Sequence, residues 1–397
     1  MRRALLVGVL ATVLGGLAGR PSAAFHAQTA LERLTDAEFW RLMDTASEKD
    51  GAFHSDNFTS NEAQYATVVA RLAASGPHGG AYLGVGPEQN FHYIAAIRPV
   101  IAVVFDIRRQ AVMQHLLFKA IFELSETRDA FIARLFSVPM PAGVTRRATP
   151  DVLWQKFAMA PGDDRARLTA NVAEVEKLLT ETHGFVLTDD DRRSLEYVYE
   201  SFFTFGPEID YSGGVKGLTT GNTNFAKLAA AVDADNTPRS FLGTDEAYQA
   251  VRALQLRNLI VPVQADFGGP KALRAVGDFL RTRGLRVSAF YISNVEQYLF
   301  NPRSPTAPGG QETNGGWRAF YENLGTLPAD ASTVLLRVPV GPGSVNGTPV
   351  MVRRTLPDGT GTMERRENVP FCPLLTFLDA VKAGKITTQS QATSCAR

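Results

Sequence analysis

Glycines and an aspartate stand at the ends of two short apolar segments near the start of this sequence. Residues 81–86 end in Gly84 and Gly86, and the apolar run 100–105 is closed by Asp106. Glycines after a strand let a ligand approach the backbone closely, and the helix that follows offers free N–H groups. An acidic side chain at the tip of the next strand can accept hydrogen bonds from ribose hydroxyl groups. The pattern predicts a site for a small molecule of nucleoside type.

Another aspartate and an asparagine follow two later apolar segments. Asp266, with Phe267 beside it, comes after a β-rich run, and Asn294 comes just after the next one. Carboxyl ends of parallel strands meet at one edge of a sheet, where open α/β sheets bind ligands, so we expect these residues near the glycines. Alternatively, Asp266 would cap the helix that starts near Pro270. For Asn294, capping of the following helix is the favoured interpretation.

Gly84, Gly86 and Asp106 also have a purely structural interpretation. Gly84 and Gly86 would then only allow a helix to pack tightly on a strand. Asp106 would form a surface ion pair with Arg108 or Arg109. The coincidence of several strand-end features favours the ligand site for the set as a whole.

Apolar segments alternate with helical patterns along the chain, which predicts an α/β fold with a doubly wound, mostly parallel sheet. The stretch between the second and third strands is almost wholly helical and predicts a large insertion. Thr35 and Thr188 are predicted helix N-caps, and 349–353 is the last predicted strand. We divide the chain into a signal peptide, N-terminal helices, the first half of the sheet domain, the helical insertion, the second half and a C-terminal tail. Their bounds are 1–24, 25–80, 81–110, 111–255, 256–355 and 356–397.

The N-terminus has the features of an export signal. Arg2 and Arg3 precede the apolar stretch 4–19, and the small residues 22–24 form a cleavage site. The alternative is a retained membrane anchor. No later segment reaches the ~18 apolar residues of a membrane helix. We therefore expect a periplasmic or secreted protein without stable membrane insertion after cleavage.

Charge and metal-ligand residues exclude further classes. The chain carries 41 basic and 40 acidic side chains, for a formal net charge of +1, so nothing supports nucleic-acid binding. His92 and His115 lack the spacing of a helical metal pair, and we expect no metal site. Cys372 and Cys395 either form a disulfide in an oxidising compartment or are two unrelated thiols.

Four segments resemble class I S-adenosylmethionine-dependent methyltransferases, and more narrowly a bacterial exported family with a methyltransferase-like Rossmann domain. They are Tyr-Leu-Gly-Val-Gly-Pro-Glu-Gln-Asn, Val-Val-Phe-Asp-Ile-Arg-Arg, Val-Gln-Ala-Asp-Phe-Gly-Gly and Ala-Phe-Tyr-Ile-Ser-Asn-Val-Glu. The resemblance covers roughly a third of the chain. It implies a Rossmann-like fold with S-adenosylmethionine as cofactor.

The resemblance also implies roles for individual residues. Gly84 and Gly86 would be glycines of the cofactor loop, and Asp106 would bind the ribose. Asp266, with Phe267 beside it, would contact the adenine amino group. A residue in the position of Asn294 often faces the substrate, which makes it the one candidate catalytic residue.

Two residues depart from the family pattern. Tyr82 stands where the family usually has an acid, and Glu88 replaces a glycine. The Glu88 charge would oppose the methionine carboxylate of the cofactor. The predicted insertion of about 150 residues is also far longer than an ordinary crossover.

Three functions are compatible with these observations. The first is an exported methyltransferase acting on an unknown acceptor. The second is a non-catalytic Rossmann-like binding protein outside the cytoplasm that has lost its cofactor chemistry. The third, an NAD-dependent oxidoreductase, has Gln89 where the dinucleotide motif needs its third glycine.

Overall fold

The protein is described from a computed structural model, which covers residues 31–53, 55–158, 164–211, 223–300, 316–337, 351–355, 361–365 and 371–395. The predicted signal peptide and most of the glycine-rich stretches 206–224 and 302–316 lie outside the described residues.

Six strands of the described residues form one mixed, mostly parallel sheet. They are β1 (Ala81–Val85), β2 (Ile101–Asp106), β3 (Ile260–Gln264), β4 (Val287–Tyr291), β5 (Val334–Leu336) and β8 (Phe371–Pro373). Their order is β3-β2-β1-β4-β5-β8. β1 pairs in parallel with both β2 and β4, and only β8 runs antiparallel, against β5. The predicted mixed α/β fold with a mostly parallel sheet is confirmed.

The central strands are buried along almost their whole length. Every residue of β2, β3 and β4 is buried, as are the first four of β1. Continuous apolar runs such as 101–105 form strands of this kind because both faces of a parallel sheet are covered. The buried end of β2 includes Asp106, which is only 6% exposed.

Helices fill the chain between the strands. α1–α3 are Asp36–Ala46, Tyr65–Ser75 and Gln89–Ile97. α4–α10 are Arg109–Leu124, Arg128–Leu135, Pro150–Ala158, Arg165–Lys177, Asp189–Phe205, Phe225–Ala229 and Asp245–Gln255. α11–α15 are Ala272–Thr282, Val295–Phe300, Gly316–Leu324, Leu374–Lys382 and Gln389–Thr393. α4–α10 all lie between β2 and β3 in the chain. No helix within the described ranges has the length and apolar character needed to cross a bilayer.

Two predicted N-caps are confirmed. The Thr35 hydroxyl accepts a hydrogen bond from the Glu38 N–H (3.2 Å), and the Glu38 carboxylate accepts one from the Thr35 N–H (2.9 Å). Thr188 and Asp191 form the same capping box at the start of α8. Each box satisfies helix N–H groups that would otherwise lack partners.

The C-terminal region differs from the prediction. The strand expected at 349–353 is β6 (Met351–Thr355), which pairs with β7 (Gly361–Arg365) as a separate hairpin and does not extend the main sheet. The edge strand of that sheet is β8, from the stretch predicted as a tail. Cys372 in β8 forms a disulfide with Cys395, with their Cα atoms 5.7 Å apart.

Candidate functional site

A cavity of about 160 Å³ opens at the carboxyl ends of β1, β2, β3 and β4. The strand order reverses at β1, between β2 and β4, and open α/β sheets bind ligands at such a point. Five of the six residues singled out from the sequence line this cavity together: Gly86, Asp106, Asp266, Phe267 and Asn294. The sixth, Gly84, is not among the lining residues. The sheet therefore brings side chains from four strand ends to one place.

Gly84 serves internal packing. A Cβ atom there would lie 1.9 Å from Asn90 Oδ1 and 2.6 Å from the Tyr82 hydroxyl oxygen. The Tyr82 hydroxyl donates to Asn90 Oδ1 (2.9 Å), and Asn90 Nδ2 donates to the carbonyl groups of Val85, Gly86 and Pro87. Tyr82 thus contributes a buried hydrogen bond that braces the turn after β1.

Gly86 has a different reason to be glycine. Its φ is +85°, in the left-handed region, and a Cβ atom would have no neighbour within 4 Å. Its carbonyl oxygen accepts a hydrogen bond from His115 Nε2 (2.9 Å). Burial lowers the pKa of His115, so the ring is neutral and carries its proton on Nε2. The hydrogen bond from His115 therefore fixes the turn that borders the cavity, while the space beside the Gly86 Cα atom stays open.

Asp106 is paired, but the pair is buried and not on the surface. Arg108 Nε donates to Oδ1 and Nη2 donates to Oδ2, each at a distance of 3.1 Å. The backbone N–H of Arg108 also donates to Oδ1, at 3.0 Å. Arg108 Nη1 also donates to the Ser55 carbonyl group (2.6 Å). A carboxylate has about four lone-pair sites, so Asp106 keeps acceptor capacity toward the cavity. Arg109 binds Asp191 instead.

Asp266 does not cap the following helix. Its Oδ1 accepts from the Gly268 N–H (2.9 Å), which forms a local turn. Glu48 has the capping role, because its carboxylate accepts from the N–H groups of Asp266 (2.9 Å), Lys271 (2.7 Å) and Ala272 (3.2 Å). Asp266 is half-buried at the cavity, and its carboxylate can accept further hydrogen bonds.

Phe267 is part of an aromatic cluster under the cavity. Its ring stacks on Phe320 with centroids 5.2 Å apart and meets Phe105 and Phe290 edge-on. Asn294 directly precedes α12, in the position expected of an N-cap, and its Nδ2 reaches Gln297 Oε1 at 3.5 Å. The Asn294 side chain stays at the cavity wall.

Glu88 lies away from the cavity lining. It is 2% exposed, and its carboxylate accepts hydrogen bonds from the Thr59 hydroxyl and the Ser60 N–H. Burial raises its pKa to about 7, while these hydrogen bonds favour the ionised form. Glu88 thus lies behind the cavity wall, since its partner Ser60 lines the cavity and Glu88 itself does not.

The sequence did not predict that the segment before α2 forms a wall of the cavity. Ala52, Phe53, Asn57, Ser60 and Asn61 all line it. The segment is fastened to the sheet by backbone bonds from Glu48 and Gly51 to Gln264 and Ile107. The run of Ser, Thr, Asp and Asn at 55–61 was the available signal, since such a polar run between two amphipathic helices needs partners elsewhere.

Tyr211, Tyr291, Ser293 and Tyr298 also line the cavity and were missed. Nothing in their local sequence separates them from ordinary core or surface residues. No cluster of three or more His, Cys, Asp or Glu side chains suited to a metal ion occurs in the part of the chain that is described.

The fold and the cavity define a mixed α/β protein with a cavity at the point where its strand order reverses. Residues 57–139 and 169–345, about two thirds of the chain, match the family model described as a domain of unknown function, DUF7790, and the chain belongs to this family. No protein in a set of curated proteins matches the chain.

Proposed function

We propose that the protein is an exported, methyltransferase-like Rossmann protein that binds S-adenosylmethionine in this cavity and transfers its methyl group to an acceptor. The observation that carries the proposal is the convergence of Gly86, Asp106, Asp266 and Asn294 on one cavity at the switch point of the sheet. The strand order and the single antiparallel edge strand are compatible with that class.

The roles that the resemblance implies are compatible with the hydrogen-bonding capacity of these residues. The open side of Gly86 would let the cofactor approach the backbone, and the free acceptor capacity of Asp106 would take a ribose hydroxyl group. Asp266 would accept from the adenine amino group. Methyl transfer needs mainly the orientation of donor and acceptor, so these residues would contribute through positioning.

The two departures from the family pattern do not oppose this proposal. The Tyr82 hydroxyl donates to Asn90, whose amide braces the turn, and Glu88 is buried against Thr59 and Ser60. The α4–α10 region would be the helical insertion of the methyltransferase-like domain. The Cys372–Cys395 disulfide favours the proposed export, because such bonds persist in oxidising compartments.

A non-catalytic binding protein outside the cytoplasm is the second candidate. The buried Asp106–Arg108 pair favours it, since the pair already uses three of the carboxylate's lone pairs. An NAD-dependent oxidoreductase would need a third glycine where Gln89 stands, inside the hydrogen-bond network of the core.

The test is calorimetric titration of the purified protein with S-adenosylhomocysteine, with NAD as the comparison ligand. We expect S-adenosylhomocysteine alone to bind. Asp266→Asn keeps the Oδ1 acceptor for Gly268 but removes the charge, and should weaken binding about tenfold, as expected for a hydrogen bond to a charged group. Asp278→Asn, on the exposed face of α11, is the matched control.

Binding of NAD alone would contradict the proposal and favour the oxidoreductase. Binding of neither ligand would favour the second candidate, a non-catalytic binding protein that has lost its cofactor chemistry. S-adenosylhomocysteine at 100 times its dissociation constant stabilises by about 2.7 kcal/mol, so the melting temperature gives an independent reading, about 3 °C higher.

A further inference from the structure

A buried carboxyl group lies directly behind the cavity wall. Glu62, just before α2, is 5% exposed, and its carboxylate accepts hydrogen bonds from the Tyr291 hydroxyl, the Gln89 amide and the Ser293 hydroxyl. All three donors are neutral, and within the described residues no basic side chain forms an ion pair with Glu62. Buried charges are usually paired with an opposite charge, so an acid held only by neutral donors beside a cavity indicates function.

Ser293 connects this carboxylate to the cavity. Its Oγ donates its single hydrogen to Glu62 Oε1 over 2.7 Å, whereas Asn294 Oδ1 is 3.4 Å away. The Ser293 oxygen is left with lone pairs only. The Tyr291 oxygen differs, because it already accepts a hydrogen bond from Gln89 Nε2 (3.0 Å). Ser293 also has a φ of +48°, a conformation that is uncommon outside glycine and that clusters at ligand sites.

Aromatic rings line the same cavity. Phe53 and Tyr298 meet edge-on with centroids 5.3 Å apart, and Tyr211 is a further lining residue. Rings of this kind pack well against a flat aromatic ligand in offset or edge-on geometry. The cavity therefore combines an aromatic lining with a hydroxyl group that can only accept.

We propose that Glu62 holds Ser293 as an obligatory hydrogen-bond acceptor, and that the cavity thereby selects an aromatic molecule with a free hydroxyl group. Glu62 is a positioning residue in this arrangement, because it acts on the ligand through Ser293. A hydroxyl donor satisfies the Ser293 oxygen, whereas the corresponding methyl ether leaves it without a partner.

If the proposed methyl transfer holds, the same contact gives the hydroxyl proton a destination; this step rests on that function. The acceptor oxygen forms a bond to the methyl carbon of S-adenosylmethionine, and the methyl–sulfur bond breaks with its electron pair left on sulfur. The acceptor proton passes to Ser293 Oγ while the Ser293 proton passes to the Glu62 carboxylate. The products are the methyl ether, S-adenosylhomocysteine and protonated Glu62.

The charge of Glu62 should make the selection depend on pH. Burial raises the pKa of Glu62 despite its three hydrogen bonds. The titratable groups around it are the hydroxyls of Tyr82, Tyr93, Tyr211 and Tyr291, whose pKa values burial raises, so they stay neutral near pH 7. Once protonated, Glu62 can donate to a hydroxyl group, and Ser293 can then turn its hydrogen toward the cavity. The preference for a hydroxyl ligand should fall as the pH falls through the raised pKa.

The experiment compares phenol with anisole, its methyl ether, by NMR titration of the protein with and without S-adenosylhomocysteine. We expect phenol to bind about three- to tenfold more tightly than anisole while Glu62 is ionised, the effect of one hydrogen bond, and this ratio to shrink as the pH is lowered. Glu62→Gln should remove both the preference and its pH dependence. Ser293→Ala should remove the preference while the Glu62 side chain and its bonds from Tyr291 and Gln89 stay in place.

Glu88→Gln is the matched control, since Glu88 is an equally buried carboxyl group with a pKa near 7 that contacts neither Tyr291 nor Ser293. It should keep the preference. Equal binding of phenol and anisole, binding of neither, or a preference that survives in either Glu62→Gln or Ser293→Ala would overturn the inference. Phenol selection without S-adenosylhomocysteine binding would sustain the inference and remove methyl transfer. Binding of S-adenosylhomocysteine without selection of phenol would contradict the inference and leave the proposed methyl transfer standing.

Discussion

Gly84 and Gly86 are two positions apart, yet the same substitution meets different obstacles at each. At Gly84 a Cβ atom would collide with the Asn90 amide, which donates to three carbonyl groups of the turn. At Gly86 the space is open and only the left-handed backbone resists a side chain. The first glycine is a packing requirement and the second a conformational one.

We therefore predict that Gly84→Ala lowers the free energy of unfolding more than Gly86→Ala does. Overpacking at Gly84 should cost about 2–3 kcal/mol, because Asn90 cannot move without releasing its partners. The left-handed conformation should cost about 1 kcal/mol at Gly86. Urea unfolding of the two variants measures both values, and an equal or smaller loss at Gly84 would contradict the packing argument.

The side chains of the cavity divide into those that the sequence predicted and those it could not. Gly86, Asp106 and Asp266 were found because residues at strand ends have a known destination in a parallel sheet. Glu62 and Ser293 meet across a separation of 231 residues, and no local pattern records that contact. Asp106 does form the ion pair with Arg108 that was its alternative interpretation, but the pair is buried and not on the surface.

Three separate elements are joined by one partly buried cluster of charged groups. His183 follows the π-helical turn Leu178–Thr182 and hydrogen-bonds Asp36 of α1 (2.7 Å) and Glu123 of α4 (2.9 Å). Lys119 pairs with the same Glu123 at 2.6 Å. Burial alone would lower the pKa of His183, but Glu123 and Asp36 outweigh it and raise the pKa. The cluster thus links helices that are distant in sequence through hydrogen bonds and ion pairs.

The stability contributed by His183 should depend on pH. Its folded pKa lies above the unfolded value of about 6.5, so its contribution is complete below that pH and is lost as the pH rises through the folded pKa. The difference in free energy of unfolding between the protein and His183→Gln should therefore shrink from pH 6 to pH 8.5. Chemical denaturation across that range measures it, with His78→Gln as an exposed control. A constant or growing difference would refute the assigned charge.

Elements with a strong local signal were predicted well, and those that depend on distant pairing were not. α1 and α8 begin at their predicted caps because the capping boxes are local. β8 has three residues, one of them a proline, and is defined only by its pairing with β5. Pro373 is tolerated because the strand lies at the sheet edge.

At the scale of the molecule, the disulfide holds the C-terminal stretch to the sheet. Cys372 is 1% exposed in β8, and Cys395 follows α15. The two residues are 23 positions apart, so the bond closes a loop that contains α14 and α15. Residues 371–395, which belong to the region predicted as a tail, are consequently held to the sheet.

We predict that Cys395→Ser lowers the free energy of unfolding by about 3 kcal/mol, the loss expected for a loop of this length in the chain-entropy treatment. A reducing agent should have the same effect on the parent protein and none on the variant. Thermal unfolding under both conditions is the measurement. A melting temperature that reduction leaves unchanged would argue against a structural disulfide.

The long separation between Glu62 and Ser293 also has a kinetic consequence. A growing polypeptide cannot close this contact until β4 has been synthesised, and β2 must wait for β3 across the whole α4–α10 region. Contacts of such high sequence separation form late and slow the folding of a chain. A nascent chain that ends before β4 therefore lacks the cavity, which forms only once the second half of the sheet has docked.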